Sequence, residues 1–194
     1  KFSTLSADAA TAITLGGSVT GASGAVSVVT LEADELTALT IDAANGTVLV
    51  DNITADKLAT ITITGDNAVT LGEDSSGTDG TVATVALASV AAGAATAAVK
   101  LSGTMEYAVD ASIVTGTAGD NVDLSSSVAA GVTVSTGAGD DTITTDSSAL
   151  RAVDGGADAD DSDATTYDGG NDTLVITGTN NSGTGAVNLA ATGD

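Results

Sequence analysis

Short alternating apolar strings recur along the chain at nearly constant spacing, and this repeat constrains the fold more than any other feature. The strings LTALTI, LATITI and VATVAL begin at residues 36, 58 and 82, and a looser copy begins at Ala10. Each of the three strings has a large apolar residue at its first, fourth and sixth positions and Thr or Ala between them, and the last three positions alternate as in a strand with one buried face. Gly, Asn and Asp fill the gaps. The repeat therefore predicts short strands separated by tight turns. It also predicts that neighbouring copies stack with their apolar positions pointing inward, namely Leu39, Ile41, Ile61, Ile63, Val85 and Leu87.

A second series of strand signals lies between the first ones. It consists of Val26-Val28, Val48-Val50, Val69-Leu71 and Val99-Leu101. Two short strands per repeat predict an all-β fold, a parallel β-solenoid or β-roll in which neighbouring coils supply the core that one coil cannot build alone. An antiparallel sandwich also has short alternating strands, and it stays open at this point. The Ala-rich residues 86–98 are predicted as a strand or a capping turn.

The excess of acidic residues limits which kinds of molecule the chain can bind. The chain has 26 acidic residues against four basic ones, a net charge of −22. Nucleic acid is excluded as a partner, because phosphate binding needs clustered Lys and Arg. Membrane insertion is excluded as well, because no stretch of about 20 apolar residues exists. Disulfides cannot hold the fold, because the chain has no Cys. Such a chain is expected to attract cations.

The acids are unevenly distributed. Residues 111–194 contain 13 of the 22 Asp residues and no Glu, whereas residues 1–110 contain all four Glu. We therefore expect two sub-domains of one continuous stack: a Thr/Ala-rich solenoid segment over 1–110 and an Asp/Gly-rich segment over 111–194.

Four stretches of the second segment share a turn pattern. They are GTAGDN at 116–121, TGAGDDTIT at 136–144, GGADAD at 155–160 and YDGGNDTLV at 167–175. Gly permits a positive φ and brings main-chain carbonyls close together. An Asp then supplies a carboxylate, and an alternating strand follows. Hard oxygen ligands without His or Cys favour Ca²⁺ over zinc or copper.

These stretches resemble the calcium-binding nonapeptides of RTX proteins, G-G-x-G-x-D-x-U-x. Asp141 and Asp172 fall at the motif's aspartate, and Ile143 and Leu174 at its apolar position. In the first copy, Asn121 falls at the aspartate and Asp123 at the apolar position. The resemblance implies calcium ligands among these residues and their turns: Gly119, Asp120, Asn121, Asp123, Gly137, Gly139, Asp140, Asp141, Gly156, Asp158, Asp160, Asp168, Gly170, Asn171 and Asp172.

Thr- and Ala-rich strand repeats followed by such a segment are similar in style to bacterial surface-layer (S-layer) proteins exported by type I secretion. That resemblance implies a secreted, cell-surface structural protein that folds with calcium and assembles with itself. Attachment to cell-surface polysaccharide or lipopolysaccharide would use parts outside this chain. An RTX adhesin stalk, a filament subunit and the secretion β-roll of a larger enzyme are the alternatives. We expect no catalysis in this chain.

Overall fold

The computed structural model describes residues 2–16, 26–73, 76–126, 131–146, 150–155, 170 and 172–177. Within them all regular elements are strands, and every strand pair is parallel. The predicted all-β parallel solenoid is confirmed, and an antiparallel sandwich is ruled out. The described residues include no helix that could cross a membrane. The strands are β1 (Phe2–Ser6), β2 (Ala12–Gly16), β3 (Val26–Glu32), β4 (Ala38–Asp42), β5 (Val48–Thr54), β6 (Thr60–Gly65), β7 (Val69–Leu71), β8 (Thr81–Ala95), β9 (Val99–Leu101), β10 (Thr104–Val114), β11 (Asn121–Leu124), β12 (Val132–Ser135), β13 (Thr142–Asp146), β14 (Leu150–Asp154) and β15 (Thr173–Thr177).

Two long faces run the length of the described stack. The even face is formed by β2, β4, β6, β8, β10, β12 and β14, and the odd face by β3, β5, β7, β9, β11, β13 and β15. On each face an inward row of apolar residues continues from coil to coil. The even row is Ile13, Leu39, Ile61, Val90, Ile113, Val134 and Val153. The odd row is Val28, Val50, Leu71, Leu101, Val122, Ile143 and Leu174.

A third, shorter face closes only the first coils. Leu5, Leu31, Ile53, Val82 and Met105 pair in sequence along it. After Met105 the described strands all belong to the two long faces. The aliphatic core follows this change, with Leu and Ile frequent in the first coils and Val more frequent in the later ones.

The predicted register is confirmed in most of the first segment. All four pairs of the second series stack as expected, and Leu39 and Ile41 pair with Ile61 and Ile63. The expected continuation to Val85 and Leu87 is wrong, because Ile61 pairs with Val90 instead. The physical reason is the length of β8, whose start joins the short face and whose end joins the even face. The Ala-rich stretch is strand up to Ala95.

The change in composition near residue 110 lies inside a strand. β10 runs from Thr104 to Val114, and its register shifts between Tyr107 and Ser112. Asp110 within it has a φ of 58°, and a Cβ added at Gly131 of the next coil would lie 2.4 Å from its carboxylate Oδ1. The two segments are thus joined by continuous strand pairing along both long faces.

Candidate functional site

One column of paired positions along the odd face changes from valine to aspartate, and its aspartates include Asp141 and Asp172, which fall at the aspartate of the calcium-binding motif. The column begins with Val26, Val48, Val69 and Val99, which pair with one another at the starts of their strands. The register of β11, β13 and β15 places Asp120, Asp141 and Asp172 next in line. We call all seven residues the corner column and its last three the aspartate ladder.

In the valine part of the corner column, main-chain groups bond to main-chain groups. The Val26 N–H donates to the carbonyl of Thr47, and the Val48 N–H donates to that of Ala68 at 3.0 Å. The Val69 N–H donates to the Ala98 carbonyl, also at 3.0 Å. Each N–H therefore bonds to the residue just before the valine of the following coil.

In the aspartate part, side-chain carboxylates accept the equivalent bonds. The Val99 N–H donates to Asp120 Oδ1 at 2.7 Å, and the Asp120 N–H donates to Asp141 Oδ1 at 2.7 Å. The Asp141 N–H donates to Asp172 Oδ1 at 3.1 Å. Each carboxylate thus bonds to the main chain of the preceding coil.

The turn glycines allow the coils to approach this closely. Gly137 has a φ of 83°, and an added Cβ would lie 1.9 Å from the Gly116 carbonyl oxygen. Gly139 has a φ of 115°, and its Cβ would lie 2.5 Å from the Gly119 nitrogen. Side chains at these positions would push the turns apart, so Gly is required for both conformation and space.

Burial dominates the electrostatics of the ladder. Asp120 is 3% exposed and Asp141 is 1% exposed. Burial raises the pKa of Asp120, and this rise is partly offset by the nearby Thr115 hydroxyl and by hydrogen bonds from the Val99 and Gly116 N–H groups. Burial also raises the pKa of Asp141, and repulsion from Asp120 and Asp172 adds to that shift. Both carboxylates therefore bear a desolvation cost that the valines do not.

Two buried threonines, Thr115 and Thr136, accompany the ladder and are not among the site residues predicted from the sequence. Thr115 Oγ1 donates to the Thr136 carbonyl at 2.9 Å. Thr136 Oγ1 and Asp141 Oδ2 are both buried without a partner in hydrogen-bond geometry, although the hydroxyl lies close enough to lower the Asp141 pKa. The repeated string T-G-x-x-x-D at 115–120 and 136–141 was the available signal.

The same string corrects the alignment of the first motif copy. Asn121 pairs with Thr142 and Val122 with Ile143, so Asp120 is the equivalent of Asp141. The alignment that put Asn121 at the aspartate and Asp123 at the apolar position is wrong by one residue. Gly116 and Gly137 are the equivalent glycines, since each precedes its aspartate by four residues. Asp123 lies half-buried on β11, and its Oδ1 accepts the Ser125 N–H at 2.8 Å.

The remaining predicted ligands are scattered or lie outside the described residues. Gly119, Gly170 and Asp140 lie at exposed turn positions. Gly156, Asp158, Asp160, Asp168 and Asn171 fall outside the part of the chain that the structure describes. Within that part, no three acidic side chains form a group that could hold a metal ion.

The ladder carboxylates fit a calcium ion poorly. Calcium in proteins takes six to eight oxygen ligands. Both oxygens of Asp120 already accept main-chain N–H groups, from Val99 at 2.7 Å and from Gly116 at 3.0 Å. Among the buried carboxylate oxygens of the described ladder, Asp141 Oδ2 has no partner. The oxygen chemistry suits calcium, but main-chain N–H groups already bond to three of the four carboxylate oxygens of Asp120 and Asp141.

No protein family, curated protein sequence or solved structure matches this chain.

Proposed function

We propose that this chain is a non-catalytic structural segment of a secreted bacterial protein that assembles with its own copies into a calcium-dependent surface layer. The observation that carries the proposal is the parallel stack itself, with seven strands in register on each long face. At about 4.8 Å per strand this makes a rod roughly 30 Å long. A rod held by main-chain bonds along its axis suits a load-bearing element better than a mobile catalytic centre.

The excess of exposed negative charge supports the proposal that the protein binds cations. Asp8, Asp34 and Asp56 occupy the same exposed turn position in three successive coils. Like charges repeated at roughly 5 Å repel one another. Beside this position, the negative charge of Glu35 is compensated by Lys57, whose Nζ lies 2.6 Å from the Glu35 carboxylate. Four basic residues cannot balance 26 acidic ones across the chain.

Calcium in this proposal bridges exposed carboxylates between copies. The acid-rich stretch 154–168, with Asp158, Asp160 and Asp168, is the main candidate from sequence. A divalent cation joins two carboxylates, whereas monovalent salt only screens them, over about 10 Å at 0.1 M. Attachment to cell-surface polysaccharide or lipopolysaccharide is assigned to other parts of the protein.

The test is assembly of the purified chain followed by light scattering and negative-stain electron microscopy. With millimolar-range calcium we expect ordered sheets that dissolve in chelator, and we expect none in sodium chloride of equal ionic strength. Fibres would favour the filament alternative. Rods that stay monomeric at high concentration with calcium would contradict the surface-layer proposal and favour an adhesin stalk or a secretion module.

A further inference from the structure

Asp120 and Asp141 occupy buried inward positions, although the motif they belong to is expected to bind calcium at a turn, whereas Asp172 at the end of the ladder is exposed. Asp120 and Asp141 continue the column of Val26, Val48, Val69 and Val99 and are buried like Val48, Val69 and Val99. A carboxylate at such a position needs strong hydrogen-bond donors to offset its lost hydration. The donors present are main-chain N–H groups of the preceding coil.

The direction of these bonds is the same in all three steps. Asp120 accepts from Val99, Asp141 from Asp120 and Asp172 from Asp141. In the first segment the equivalent N–H groups bond to carbonyls of the next coil. The carboxylate has therefore replaced the carbonyl as the acceptor that joins one coil to the next.

We propose that Asp120, Asp141 and Asp172 are coil-joining main-chain acceptors and not calcium ligands. The second segment up to β13 then holds together without calcium, and calcium acts elsewhere on the molecule. This inference does not depend on the proposed surface-layer function, since assembly can fail while the ladder remains as described.

Asparagine substitutions separate the two roles. The Asp141→Asn substitution keeps one oxygen for the Asp120 N–H and places an amide donor where Asp141 Oδ2 has no partner beside the Thr136 hydroxyl. The Asp120→Asn substitution directs an amide N–H at a main-chain N–H, because both oxygens of Asp120 are acceptors. Removal of a calcium-binding carboxylate would instead weaken calcium binding at either position.

The experiment measures urea unfolding midpoints in excess chelator and calcium affinity by titration calorimetry. We expect Asp141→Asn to have a midpoint equal to or above that of the parent chain, and Asp120→Asn and Asp141→Ala to have lower midpoints. Calcium affinity should be unchanged in Asp141→Asn. The control is Asp34→Asn, which removes one negative charge at an exposed position of the first segment and so measures the effect of charge alone.

Amide hydrogen exchange provides the second measurement. In Asp141→Ala we expect the Asp120 amide to exchange about 10- to 100-fold faster, with the Val99 amide little changed. Equal loss of stability in Asp141→Asn and Asp141→Ala, or loss of calcium binding in Asp141→Asn, would overturn the inference. So would an Asp120 amide that exchanges at the parent rate in Asp141→Ala.

Discussion

At the corner column, successive coils are joined by main-chain carbonyls in the first segment and by aspartate carboxylates in the second. In the first, valine fills the interior and the main chain bonds to itself. In the second, aspartate occupies the interior and its carboxylate accepts the bond. Valine gains free energy from apolar burial, whereas aspartate bears a desolvation cost that its bonds must offset. A repeat fold can therefore keep its strand register while the hydrogen-bond acceptors between its coils change from carbonyls to carboxylates.

The difference follows the shape of the coil. The first coils have three faces and an interior filled by Leu and Ile, among them Ile41, Leu58 and Ile63. The later described coils have strands on the two long faces alone, and their buried apolar residues include Val122, Val132 and Val134. A valine side chain buries less apolar surface than leucine or isoleucine, so polar bonds between coils make up a larger share of the stability there.

The largest expected effect tests the aliphatic part of this comparison. Ile63 is fully buried in the first segment, and Ile63→Ala should lower the free energy of unfolding by about 2–4 kcal/mol, as buried truncations do. Thr62→Ala, at the exposed position beside it, should change stability by about 0.5 kcal/mol or less. Urea denaturation of the two variants gives the comparison. Equal effects would show that the inward register is incorrect.

The next effect concerns the turns that bring the ladder together. Gly137→Ala should cost about 1–3 kcal/mol, because an L-residue there is strained and its Cβ would meet the Gly116 carbonyl. Gly16→Ala is the control, since an added Cβ there meets nothing within 4 Å. Thermal unfolding should separate the two. A Gly137→Ala protein as stable as the control would mean that the turns are not in contact.

The odd face could be predicted from the sequence, whereas the length of β8 and the orientation of the ladder could not. Alternation and spacing predicted the odd face correctly, because valine pairs such as Val48-Val50 leave one register that buries them. They misplaced the strings after residue 82, since nothing in the repeat signals that β8 is 15 residues long. The ladder's inward orientation was also missed. An aspartate preceded by glycines suggests a solvated turn, and only the register with Val99 shows that it faces the core.

A smaller effect is expected from pH. The pKa values of Asp120 and Asp141 are raised by burial above the ordinary value of 3.8. The folded state therefore binds protons more tightly than the unfolded chain, so stability in chelator should rise as pH falls from neutral through the raised pKa values. The gain should stop near the ordinary value, where the unfolded chain is protonated too. Urea midpoints across this range should vary less in Asp141→Asn than in the parent, and identical pH profiles would argue against buried titration.

The smallest effect is spectroscopic and reports on the junction of the segments. Tyr107 lies buried in β10, its hydroxyl donating to Met105 Sδ at 3.4 Å. Burial, with the negative charge of Asp123, raises its pKa well above the ordinary value of 10.0. In Tyr167→Phe, Tyr107 is the remaining tyrosine, and its phenolate absorbance should stay low between about pH 9 and 11 while the fold persists. An ordinary titration curve there would show an open junction.

The most direct test of the account is a crystal structure of the chain grown with calcium, using anomalous scattering to locate the ions. We expect calcium at exposed acidic positions and none bound by Asp120 or Asp141, whose carboxylates should remain bonded to the Val99 and Asp120 N–H groups. A calcium ion held between the coils by Asp141 and Asp172 would contradict the central claim that the ladder joins coils through the main chain.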